Sequence, residues 1–201
     1  MSYKKIFLMF VCITIFFCGR SFANWGDRTH EYILETISNS GLYKSSIEYS
    51  KSFSDNSDNV LKINLRSAAL SLDESLIERT LELTPVSLMN SSEYFFAEGV
   101  KYYLQGSWDQ SIGALSICVD KDPLDVYSWY YMAKDYELRN DYNSANYAYQ
   151  KALSIQPNNV GILKGYARVL NLVGLTDQYN MVTNHIKDIY SRDSSLEISG
   201  N

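Results

Sequence analysis

Residues 92–125 and 126–159 are two stretches of equal length that read the same way: helical run, tight turn, second helical run, proline, with Pro157 falling one unit length after Pro123. A unit of that size cannot bury its apolar side alone, so a chain that repeats it must stack the copies against one another. The centre of this chain is therefore expected to be an all-α stack of helical hairpins. Different residues serve the same turns. Gly106 ends the first helix of one unit and Asn140, the other residue tolerant of positive φ, stands in its place in the next. Asn90 with Glu93 and Ser107 with Gln110 read as capping boxes in the first unit, and Asp125 and Asp141 as caps in the second.

The flanks carry weaker versions of the pattern. Residues 60–89 hold one apolar stripe of Leu61, Leu65, Ala68, Ala69 and Leu72 and another of Leu76, Ile77 and Leu81. Shifted by one unit length, Leu61 falls on Phe95 and Leu81 on Leu115, while the small residues do not coincide, so this is read as a degenerate hairpin or cap. Residues 24–59 begin with an amphipathic helix carrying Ile33, Leu34 and Ile37 and stopped by Gly41. A shorter helix over 43–51 and a loop rich in Ser, Asp and Asn follow it. Beyond the centre, Asn159 caps a third unit with a stripe of Leu163, Tyr166, Ala167 and Leu170 and a stop at Gly174. Its second helix drifts at Tyr179 and Thr183, as a terminal hairpin with an altered outer face would, and the array is taken to end at 190. Residues 191–201 are polar around a weak Leu196-Glu197-Ile198 element and read as disordered.

Lys4 and Lys5 precede an unbroken apolar run over 6–17, followed by Ser21-Phe22-Ala23. This is the pattern of a secretory signal peptide, with cleavage expected after Ala23 and a bacterial look to the segment. The run is too short to span a bilayer as a helix, which needs ~20 residues. Periplasmic or secreted location follows as the expectation. Cys18 admits an alternative, a lipoprotein of the outer-membrane pilotin kind lipidated at that cysteine, but Phe17 stands where such processing wants a small residue. Removing residues 1–23 takes away three basic side chains and no acids, moving the formal net charge from −5 to −8. Nucleic acid is then an unsuitable partner, and membrane contact is expected only through lipidation or an uncleaved signal. Cys118 remains as the one thiol after cleavage, so no internal disulfide is available.

In the second unit Trp129, Met132, Ala133, Tyr136, Ala145, Tyr149, Ala152 and Pro157 occupy all eight signature positions of a 34-residue motif. The unit resembles a tetratricopeptide repeat. The first unit fits at Phe95, Gly99, Tyr102, Leu115, Cys118 and Pro123 and departs at Glu98 and Ser111, and the third fits only in its first helix. The resemblance implies a right-handed solenoid of about three such hairpins with additional N-terminal helices. Gly99 with Ser111 and Ala133 with Ala145 would be the points where helix axes cross closely, because axes approach to ~8 Å only over small side chains.

No nucleophile motif, phosphate-binding glycine loop or metal-ligand spacing is visible, and His30 and His185 stand apart from Cys and from acids at ligand spacing. Cys118 reads as a small buried residue. The expectation is a non-enzymatic scaffold without cofactor or metal, binding another protein through a peptide or helical segment in pilus or secretion-system assembly. An enzyme would need a site in residues 24–60 that these patterns do not reveal. The resemblance places a concave groove on the first helices of successive units. Carried over position by position, its lining is Phe96, Val100 and Tyr103, then Tyr127, Tyr130, Lys134 and Glu137, then Lys164, Arg168 and Asn171. Aromatic side chains followed by cations suit a segment with apolar anchors and an acidic group.

Overall fold

The computed structural model describes residues 28–51 and 57–198; the expected signal segment with Cys18, and residues 52–56 of the expected polar loop, lie outside them. Ten α-helices are described: α1 (Arg28–Asn39), α2 (Tyr43–Lys51), α3 (Asp58–Leu70), α4 (Glu74–Glu82), α5 (Ser92–Leu104), α6 (Trp108–Lys121), α7 (Val126–Leu138), α8 (Tyr142–Ile155), α9 (Val160–Leu172) and α10 (Thr176–Ile198). A 3-10 turn, Val86–Leu88, joins α4 to α5, and no strand occurs among the described residues. Sequential helices pack antiparallel as hairpins, each hairpin stacks on the next, and one apolar core runs from Ile47 to Leu170.

The repeat extends further toward the N-terminus than the apolar pattern alone indicates. Leu72, Gly106, Asn140 and Gly174 recur one unit length apart, and all four have positive φ, from 53° to 76°. At Gly106, Asn140 and Gly174 the same pair of hydrogen bonds closes the helix, for example Gly106 N–H to the Tyr103 carbonyl at 3.1 Å and Ser107 N–H to the Tyr102 carbonyl at 2.9 Å. This is the glycine-type C-terminal motif, in which a left-handed residue turns orphan carbonyls back onto the next two amides. The helix N-caps Ser57, Ser91, Asp125 and Asn159 keep the same interval. Hairpin α3–α4 is thus a repeat in register, its sequence disguised by a leucine in a turn position that favours glycine.

Three of the expected side-chain caps differ in the structure. Ser91, not Asn90, caps α5, accepting from the Tyr94 amide at 3.1 Å, because the repeat interval counted back from Asp125 lands on 91. Ser107 makes no side-chain cap bond, and neither does Asp125, whose carboxylate is committed elsewhere. Asp141 and Asn159 cap as expected. At the C-terminus α10 continues to Ile198 rather than stopping at 190: no proline or glycine interrupts 175–198, and the Ser191 hydroxyl bonds back to the Asp188 carbonyl at 2.9 Å.

Helices α1 and α2 form a further pair that packs on α3, with small polar contacts within the pair and to α3. The Ser38 and Ser67 hydroxyls meet at 2.8 Å and Ser46 donates to the Leu34 carbonyl at 3.2 Å, with all three serines buried. Close approach here comes from side chains with one heavy atom beyond Cβ.

Candidate functional site

The inner surface is built from the first helix of each hairpin, α3, α5, α7 and α9, and it is closed at one end. Phe96 and Val100 on α5 are 0% exposed, so they form a wall inside the protein instead of open groove. The cause is α3, which packs on α5 and carries Arg66 across it. The Arg66 guanidinium lies 5.0 Å from the Phe96 ring centroid and 5.7 Å from that of Tyr127, and donates to Asp125 Oδ1 at 2.6 Å. Burial alone would raise the Asp125 pKa, yet the Arg66 hydrogen bond and charge prevail and lower it. The same carboxylate accepts from Ser128 Oγ at 2.7 Å and from the Cys118 thiol at 3.5 Å. Burial first of all pushes the Cys118 thiol up to about 12, so it is an inert thiol held in a polar pocket.

Beyond this closed end the surface opens. Tyr103, Tyr127, Tyr130, Lys134 and Glu137 are half-buried, while Lys164, Arg168 and Asn171 are exposed. Lys134 is the centre of the half-buried set. Its ammonium stands 4.6 Å from the Tyr103 ring, 5.5 Å from Tyr130 and 5.7 Å from Tyr131, and among the described residues it has no ion pair with a carboxylate. An ammonium over ring faces keeps its charge available while being held in place. Arg168, by contrast, is spent: its Nε and NH2 groups both donate to Glu137, the second at 2.9 Å. Glu137 also accepts from the Tyr149 hydroxyl at 3.1 Å. Lys164 lies 5.7 Å from the Tyr190 ring on α10.

Two features that the apolar pattern did not flag position this surface. At Gly165 an added Cβ would come within 2.5 Å of the Tyr149 hydroxyl, so glycine is what lets α9 lie on the Tyr149 ring. Arg66 is the other, and a signal for it was present: Arg66, Val100, Lys134 and Arg168 recur at the repeat interval, placing a cation on the same site of three hairpins. The predicted crossing at Gly99 is as tight as expected, with Ser111 Oγ donating to the Gly99 carbonyl at 2.9 Å.

No cluster of three or more His, Cys, Asp or Glu side chains suited to a metal ion occurs among the described residues, and none of the described helices is long and apolar enough to cross a membrane. His185 shares a 3.0 Å hydrogen bond with Asn158 at the surface.

The architecture defines a solenoid of helical hairpins. Residues 126–159 match the tetratricopeptide repeat family model, so the hairpin α7–α8 is a tetratricopeptide repeat and the whole is a tetratricopeptide-like, right-handed solenoid. Among solved structures, one of MamA aligns with a TM-score of 0.54 and 17% identity, covering 84% of this chain and 93% of that one. A second, of MamA from MSR-1, aligns at 0.53 and 12%, covering 82% and 96%. At these identities the likeness is one of fold. No curated protein matches the sequence significantly.

Proposed function

We propose that the protein is a non-enzymatic scaffold that holds a partner protein by an acidic peptide or helical segment, laid on the inner surface of α7 and α9. The observation that carries this reading is the Lys134 ammonium, framed by Tyr103, Tyr130 and Tyr131 and free of any carboxylate partner among the described residues. Tyrosine rings supply apolar contact at low entropic cost, and the ammonium supplies a charge-assisted bond to a carboxylate. The neighbouring carboxylate, Glu137, is neutralised by Arg168, so it does not repel an acidic ligand. The leader over residues 1–23 supports work outside the cytoplasm, in the bacterial envelope, where assembly of a pilus or secretion machine is one setting for an exported scaffold.

The test is capture of crosslinked partners from the native envelope with the mature protein and with Tyr130→Ala plus Lys134→Ala. Loss of the captured species at least tenfold, with the thermal melt unchanged, is the expected outcome. Equal capture by both proteins overturns the assignment of this surface, and mass analysis of the mature N-terminus decides between cleavage after Ala23 and lipidation at Cys18.

A further inference from the structure

Hairpins α5–α6 and α7–α8 meet over two buried carboxyl groups, Asp125, which is paired with Arg66, and Asp135, which is 0% exposed and has no ion pair among the described residues. Its Oδ2 lies 2.6 Å from Ser111 Oγ, and the same Ser111 Oγ lies 2.9 Å from the Gly99 carbonyl oxygen. Counting hydrogens favours one state of this triad. A backbone carbonyl only accepts, and a serine hydroxyl has a single hydrogen to donate. Were Asp135 ionised, that one hydrogen would have to serve two acceptors, and one contact would be two oxygen lone pairs facing each other at hydrogen-bond distance. A hydrogen on Asp135 Oδ2 resolves both: the carboxyl donates to Ser111, and Ser111 donates to Gly99. The remaining oxygen, Oδ1, is buried with no hydrogen-bond partner, a condition that a neutral carbonyl oxygen tolerates far better than a carboxylate does.

The charged surroundings do not supply a substitute for that hydrogen. On α7 itself stand Lys134, engaged with tyrosine rings, Tyr136, and Arg139, which pairs with Asp109 of α6 at 2.8 Å. Tyr103 of α5 lies under the Lys134 ammonium, Asp141 at the start of α8 acts on Tyr136, and Arg168 of α9 is paired with Glu137. Burial is the largest influence on Asp135 and prevails over the Ser111 hydrogen bond and the charges of Lys134 and Arg139, which all favour its ionised form; neither cation forms an ion pair with it. The Asp135 pKa is accordingly raised to about 7.

We propose that Asp135 is a proton-dependent clasp between hairpins α5–α6 and α7–α8, closed when its carboxyl is protonated and loosened when the proton leaves. The sign follows from linkage. Between the usual Asp range and about 7 the folded protein binds a proton that the unfolded chain has released, so stability falls as pH rises through this window and stays lower above it. An exported protein meets a pH that its cell does not fix, and the junction that orients α5 against α7 would respond to it. The inference is independent of what the inner surface binds.

The experiment is thermal unfolding of the mature protein between pH 5 and 9, beside Asp135→Asn. Asparagine keeps the volume and places a donor where the acid hydrogen was. The wild-type midpoint is expected to drop by about 5–10 °C across the range, and the variant to lose most of that dependence. A flat wild-type profile, or an unchanged slope in the variant, overturns the clasp. Should the variant not fold, carbon NMR of the wild-type aspartate carboxyls decides the matter: one titrating near neutral pH supports the proposal, and all titrating below about 5 refutes it.

Discussion

The junction between α5–α6 and α7–α8 and the junction between α7–α8 and α9–α10 are the same piece of geometry, displaced by one repeat, and they are built from opposite materials. The first holds Ser111, Cys118, Asp125, Ser128 and Asp135, all buried. The corresponding residues of the second are Ala145, Ala152, Asn159, Ile162 and Val169, and apart from the capping Asn159 these are buried apolar side chains. One joint is specified by hydrogen bonds that accept a single arrangement, the other by shape, with Tyr149 seated on Gly165 and an exposed Arg168 tied to Glu137 at its rim. Polar junctions are intolerant: a satisfied network rigidifies, and the same network missing one member costs more than an apolar contact would. The repeat that is best specified in sequence, 126–159, is therefore not uniformly specified in space. Its N-terminal side depends on chemistry and its C-terminal side on packing.

Breaking the polar joint at its strongest link should have the largest effect. Asp125→Ala leaves the partly buried Arg66 guanidinium without its carboxylate and Ser128 without its acceptor, and is expected to cost about 2–4 kcal/mol in chemical denaturation. The reverse manipulation tests the contrast from the other side. Ser111→Ala together with Asp135→Val writes the second junction into the first, and is expected to stabilise the protein by roughly 1–2 kcal/mol and to flatten its pH profile, because apolar residues of similar volume replace a half-satisfied polar group. Denaturant midpoints at pH 6 and pH 8 measure both parts. The smallest effect belongs to the rim of the packed joint: Arg168→Ala should change stability by less than about 1 kcal/mol, since the Arg168 side of the pair is more than half exposed and screened, and Glu137 keeps the Tyr149 hydroxyl as a donor. A larger loss, seen in the same denaturation series, would mean that the second junction also depends on polar contacts.

Helix positions, turns and the hairpin stack were legible in the sequence because they rest on local requirements: a left-handed residue at Gly106, Asn140 and Gly174, and an oxygen-bearing cap at Asp141 and Asn159. The capping pattern pointed to Asn90 where the structure uses Ser91, the residue that the repeat interval selects, and Ser107 shows that a capping sequence need not form the bond. The inner surface was legible by register at Tyr103, Tyr130 and Lys134, which lie together. Phe96 and Val100 stand at positions of the same kind, but their environment is set by Arg66 and α3, and no pattern within residues 92–159 carries that information. The Ser111–Asp135 bond was hidden for a related reason. Ser111 looked like a lapse from the motif, and its meaning appears only with the residue 24 positions later that it faces.

The placement of Arg66 over Phe96 and Tyr127 bears on where this domain begins. A fragment cut at the first obvious hairpin, residue 92, would strip α3 away and turn two sealed core side chains, Phe96 and Val100, into a naked apolar strip beside an unpaired Asp125. Such a fragment carries its own adhesive surface and would report on self-association and not on partner choice. The smallest faithful representative of the protein is one that keeps the helix bearing Arg66.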